Sequence, residues 1–127
     1  MKGSLRRLWV FLVLCIAVLS LSYPASALSP AQEYLLEGSY AVEQDGWTLV
    51  HLEGVPYRIG FQRGYLTAES ASYLIISYLG PADDEYHRMS REIAGKYLWD
   101  RIPKEYQDEL RGIAAGLRAK GYDWDVW

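Results

Sequence analysis

Cysteine is almost missing from this chain of 127 residues, and the single one is Cys15. It sits in an apolar run, where a thiol is one more apolar side chain. Lipid modification would need a small residue just before it, and Leu14 stands there instead. After Cys15 the chain can form no disulfide and can supply no thiol nucleophile. Histidine is scarce as well: His51 and His87 are the only two, and no Ser-His-Asp or Cys-His arrangement can be assigned. No apolar run reaches the roughly twenty residues that span a bilayer. Internal repeats, linkers and low-complexity tracts are absent. Basic charge is also short. Three of the thirteen basic residues precede Leu28, which leaves ten against all sixteen acidic ones, a net charge of −6 over residues 28–127. That balance disfavours nucleic acid and anionic membrane surfaces as partners.

The first residues carry an export pattern. Lys2, Arg6 and Arg7 precede an apolar stretch of about fourteen residues, Leu8 to Leu21, which Tyr23 and Pro24 break. Ala25-Ser26-Ala27 then supplies the small side chains of a signal-peptidase site. The expected organisation is a secretory signal peptide over 1–27 and one domain over 28–127, with the product secreted or periplasmic. Contact with a membrane is expected only through the signal segment. An uncleaved signal anchor is the competing reading.

Half of all residues are hydrophobic, and five Trp and eleven Tyr are present. Such a composition folds rather than staying disordered. It is also a heavy aromatic load for so small a core, so many of these rings are expected to be covered by something further.

Local patterns predict an α+β chain that is mainly helical, a short β-hairpin followed by three helices. Ser29-Pro30-Ala31-Gln32 has the makings of a capping box for a short helix that Gly38 ends. Tyr40 and Val42 alternate with polar residues, Asp45-Gly46 marks a turn, and a second strand runs from Trp47. Both faces of that strand are largely apolar, which predicts burial on two sides. A long helix over 56–79 follows Gly54-Val55-Pro56 and stops at Gly80-Pro81. A second is expected over 83–99, with Asp83, Asp84 and Glu85 at its positive end. The third spans 103–121, with Tyr106, Leu110, Ile113, Ala114 and Leu117 on one face. Asp123 resembles the cap of a fourth. For Trp124 and Trp127, a terminal turn docked on the core and the front edge of a longer fold are both open readings.

Few residues offer chemistry. Gly60 and Gly64 lie one turn apart in a helix, as do Gly112 and Gly116. Each costs about 1 kcal/mol of helix propensity against alanine, so close packing is the expected return. The first pair lies in no phosphate loop, because no Lys-Ser/Thr follows and Pro56 removes a donor. A direct ligand role for Tyr57, Arg58 or Gln62 is the alternative there. His87 with Asp83 and Asp84 could make at most a weak metal site, and a solvated acidic helix start is favoured. Glu105 and Glu109 have the spacing of paired carboxylates, but Lys104 and Arg111 beside them favour an exposed charged face. No catalytic, cofactor-binding or metal-ligating residue is therefore assigned, and no cofactor is expected.

Two blocks of sequence resemble a known family. The first is Gly46-Trp47-Thr48-Leu49-Val50-His51-Leu52-Glu53-Gly54-Val55-Pro56-Tyr57, continued by Gly60-Phe61-Gln62-Arg63-Gly64-Tyr65-Leu66. The second is Ile102-Pro103-Lys104-Glu105-Tyr106 with Glu109-Leu110-Arg111-Gly112-Ile113-Ala114-Ala115-Gly116. In order and spacing they resemble the N-terminal motifs of the acyl-CoA:isopenicillin N acyltransferase-like and phospholipase B-like cysteine Ntn-hydrolases. The resemblance implies the leading part of a four-layer αββα sandwich and a precursor that cuts itself before a cysteine. That cysteine would attack an amide or ester carbonyl, its own α-amino group serving as base. The expected partner is a missing or separately encoded C-terminal chain bearing the nucleophile, and this chain alone is expected to be inactive. The alternative is a self-contained secreted helical module that binds protein or an envelope component. For the export reading, N-terminal sequencing of exported material should begin at Leu28, and an intact Met1 in the membrane fraction would contradict it.

Overall fold

Four glycines set the architecture. A computed structural model describes residues 27–80, 84–124 and 126 of the protein; residues 1–26, on which the export pattern and Cys15 fall, and Pro81, Asp83 and Trp127 lie outside the described residues. In order, the elements are α1 (Pro30–Leu36), β1 (Tyr40–Gln44), β2 (Trp47–His51), α2 (Pro56–Leu66), α3 (Ala68–Leu79), α4 (Glu85–Ile93) and α5 (Lys104–Ala119). A turn of π-helix (Ala94–Leu98) and one of 3₁₀-helix (Trp99–Arg101) join α4 to α5. The chain is thus α+β and mainly helical, a two-stranded antiparallel hairpin followed by helices.

Helices α2 and α5 pack glycine against backbone on both sides. A Cβ added to Gly60 would lie 2.0 Å from the carbonyl oxygen of Glu109, and one on Gly64 would lie 2.2 Å from that of Ile113. In return, a Cβ on Gly112 would meet the Tyr57 carbonyl at 2.1 Å, and one on Gly116 that of Phe61 at 2.3 Å. Both series advance by one turn together, so the two helices run parallel. Parallel neighbours need a return path, which α3, α4 and the irregular turns provide. Such close approach also brings Cα–H groups against carbonyl oxygens, a weak but repeated attraction. The core around this seam is small: Phe61, Ala68, Ala114, Leu117 and Trp124 are its buried apolar members. Trp124 docks in it, with its indole Nε1–H donating to Ser72 Oγ at 3.1 Å. Trp124 is thus docked on the core, and Trp127 lies outside the described residues.

Local chemistry bears out the short-range expectations. Ser29 Oγ accepts from Gln32 N at 3.3 Å, and Ser29 N donates to Gln32 Oε1 at 2.8 Å, a complete capping box. Asp45 and Gly46 both have positive φ, 53° and 79°, the requirement of a tight two-residue hairpin turn. Asp84 caps α4 by accepting from Tyr86 N at 2.8 Å.

Four expectations need correction. The helix over 56–79 is two helices. It breaks at Thr67 (φ −112°, ψ 18°), whose hydroxyl donates back to the Arg63 carbonyl at 2.8 Å beside its own N–H at 3.0 Å, a shared acceptor of the kind that bends helices. The helix over 83–99 is α-helical only to Ile93. Beyond it, a side chain at Gly95 would have no neighbour to pack on, since an added Cβ meets nothing within 4 Å. Instead, Gln107 Nε2 donates to the carbonyls of Trp99 (3.1 Å) and Ile102 (2.9 Å), with the Arg111 guanidinium 4.9 Å from the Trp99 ring. These tertiary bonds outweigh the local pattern. Among the described residues no helix starts at Asp123: the Trp124 N–H turns back to the Tyr122 carbonyl at 2.9 Å, and its ring is buried in the core. Finally, β2 is not buried on two sides: Trp47 is 79% and Leu49 61% exposed.

Replacing Gly60, Gly64, Gly112 or Gly116 by alanine should destabilise the fold by about 1–3 kcal/mol each, although alanine favours helix. Gly95→Ala, where the added Cβ meets open space, should be neutral or slightly stabilising. Urea unfolding midpoints test this, and four seam variants no worse than Gly95→Ala would refute the interlock.

Candidate functional site

The residues with the best claim to ligand contact, Arg58 and Gln62, lie on α2, and both are spent on the fold. Helix α1 ends with unpaired carbonyls, as every helix does. Gln62 Nε2 donates to the Leu35 carbonyl at 2.9 Å, and Gln62 Oε1 accepts from Glu53 N at 2.8 Å. Arg58 donates through Nε to Leu35 O at 3.4 Å and through Nη2 to Glu37 O. Its guanidinium also lies 5.2 Å from the centre of the Tyr34 ring. A cation at a helix C-terminus is favourable on dipole grounds too. Gln62 is completely buried. One buried amide thus ties α1 to the exit of β2.

The other sequence candidates do not converge. His51 is exposed, stacks on Tyr40 with centroids 5.0 Å apart, and lies 3.7 Å from Glu53 Oε2. His87 is buried, against the expectation of a solvated helix start. Its ring lies 5.6 Å from Trp124, and its Nδ1 has no partner among the described residues. Asp84 is occupied as a cap, and no group of three His, Cys, Asp or Glu among the described residues could hold a metal. Glu109 pairs with Arg63 of α2 at 3.1 Å, while Glu105 is exposed. Between them, Asp108 binds Lys104 and Arg111. The Lys104 hydrogen bond and charge first, then the Arg111 hydrogen bond and charge, hold its carboxyl below the usual range against the opposing effect of desolvation. Ser29 is a helix cap, and Tyr57 is partly exposed beside the α1 helix.

What sequence reading missed is a surface. The register pairs Tyr40 with His51, Val42 with Leu49 and Gln44 with Trp47, and in a pleated hairpin these three pairs share one face. All six residues are exposed. The opposite face holds Ala41 with Val50 and Glu43 with Thr48, the last pair joined by a hydrogen bond. One side of the hairpin is therefore an open apolar and aromatic stripe. Its signal was available: the Asp45-Gly46 turn sets the register, and alternation then sorts the side chains. More apolar side chains stand open on α3 and α4, among them Tyr73, Leu74, Ile76, Tyr78 and Met89. No helix among the described residues is long and apolar enough to cross a membrane.

Comparison with known proteins yields one distant likeness. An uncharacterized protein of Archaeoglobus fulgidus is 36% identical over 91 residues, which cover 64% of this chain. The chain spans only about 15% of that relative's length. No family model matches the chain, and no solved structure matches it.

Gln62→Leu should remove both bonds and strand a buried N–H, costing about 1–3 kcal/mol in thermal or urea unfolding. A ligand-binding glutamine would instead be dispensable for stability. A variant that melts like the parent would return Gln62 to the list of contact residues.

Proposed function

We propose that this chain is the leading segment of an exported amide or ester hydrolase, or acyltransferase, of the cysteine Ntn-hydrolase type. The observation behind this reading is the α2–α5 seam. The two sequence blocks that resemble the family are about forty residues apart, yet their glycines pack into each other. A shared packing unit is a physical reason for the two motifs to occur as an ordered pair. The open hairpin face lies in and beside the first block and supports the same reading, because a two-stranded ribbon with a bare apolar side is marginal by itself. The uncharacterized relative, of which this chain spans so small a share, is compatible with a larger protein.

In this reading the nucleophilic cysteine belongs to polypeptide outside these residues, since Cys15 lies in the export segment. Its thiolate would attack the substrate carbonyl, its α-amino group would take the proton, and an acyl-enzyme would pass the acyl group to water or another acceptor. The chain's own share is scaffolding: α2, α5 and the Gln62 clamp hold the hairpin in place for further strands. A second reading, a self-contained exported binding module, is favoured by the docking of Trp124, which helps to close the small core.

The purified chain should show no turnover of acyl amides or esters, and it should bind a hydrophobic dye and self-associate in light scattering. A monodisperse monomer with clear turnover, lost on a point change within residues 28–127, would overturn the proposal. A monodisperse, inactive, dye-silent chain would favour the binding module.

A further inference from the structure

A groove of about 410 Å³ lies between α1, α2 and α5, within the size range of small-molecule sites. Two contacts create it. The glycine seam draws α5 against α2, while the Arg58 and Gln62 side chains hold α1 by its C-terminal carbonyls. Ala31 and Leu35 of α1, Tyr57 and Phe61 of α2, and Ala115 and Ala119 of α5 give it apolar walls. Its remaining lining residues are Gln32 and Arg118.

The polar chemistry of these two is one-sided. Gln32 Oε1 is engaged by Ser29 N, so its amide is left with N–H donors. Arg118 Nη1 donates to the Trp124 carbonyl at 2.9 Å. That is its hydrogen bond among the described residues, and a guanidinium carries five N–H donors in all. None of the eight lining residues is acidic. An amine entering the groove would find aromatic walls but no counter-charge. A sugar would find too few polar partners for its hydroxyls. An acceptor-only anion on an apolar body finds both of its requirements, donors at the cation and apolar walls beside them.

We propose that this groove binds a small carboxylate with an apolar body, its carboxylate on Arg118 and its body against Tyr57, Leu35 and Ala115. The site is formed by described residues alone and does not depend on the enzymatic reading above.

Equilibrium dialysis of the purified chain against labelled octanoate, octylamine and 1-octanol tests it. Self-association of the chain does not prevent this measurement. Octanoate should bind at least tenfold more tightly than octylamine. Shortening the acid should weaken binding by about two- to fourfold per methylene. Arg118→Gln should lower octanoate affinity about tenfold and leave octanol within twofold. Arg118→Lys should retain part of the affinity as a point charge. Ala115→Leu, which fills the groove, should weaken acid and alcohol alike, with circular dichroism showing that the helices persist. The double change Trp47→Ser with Leu49→Ser on the hairpin should leave octanoate binding unchanged. Equal affinity for the three ligands would overturn the site, as would binding that survives Arg118→Gln but is lost in the hairpin variant.

Discussion

The contact of backbone with backbone between α2 and α5 is the constraint on which the rest depends. Two helices can come this close only where neither carries a Cβ. Glycines one turn apart provide that over two successive turns of each partner. The cost in helix propensity is about 1 kcal/mol per glycine. It is offset by tight packing of Phe61, Ala114 and Leu117 beside the seam. Because the paired helices are parallel, everything between them must travel back along the molecule. That return path carries the break at Thr67, the π turn and the exposed aromatics of α3 and α4.

Polar groups then attach the N-terminal part to this seam. Helix α1 has seven residues and no fully buried side chain, with only Leu35 and Leu36 half-covered among its larger apolar residues, so apolar burial holds it weakly. Arg58 and Gln62 secure it through its C-terminal carbonyls, and the same Gln62 reaches the backbone where β2 leaves the hairpin. The hairpin is thus anchored at its base and open along its length. Its apolar face, with Tyr40, Val42, Leu49 and Trp47, has no cover among the described residues. A completed sheet or a binding partner would supply one, and this bare face is where the two functional readings make different demands on the same side chains.

The polar candidates show how burial redistributes apparent chemistry. Histidine, glutamine, arginine and paired carboxylates are the residue types of catalytic sites. Here Gln62 and Arg58 satisfy backbone carbonyls, Glu109 bridges to Arg63, and His87 lies against Trp124. The fold consumes them. The groove between α1, α2 and α5 is different in kind, since its donors are left over after the fold's own bonds are made.

Elements with a local cause were legible in the sequence. The capping box at Ser29, the Asp45-Gly46 turn, the acidic start of α4 and the single face of α5 from Leu110 to Leu117 each need only neighbouring residues, and each stands in the structure, although Tyr106 of that face is exposed. The glycine pairs announced close packing, though not what they would pack against. Features with a distant cause were not legible. The irregular turns after Ile93 depend on side chains that meet only after the chain has folded back, such as Gln107 with the Trp99 carbonyl, while the break at Thr67 has a local cause that the helical pattern concealed. Burial of β2 was misjudged because apolar character states a preference for cover, whereas cover itself requires another surface. By itself, then, the sequence determined the hairpin turn, the helix caps and which positions lack a Cβ, because those follow from bonds within a few residues. Only the tertiary structure decided that α2 and α5 share one seam, that Gln62 is a clamp and that Trp47 stands in solvent, because each depends on groups far apart along the chain.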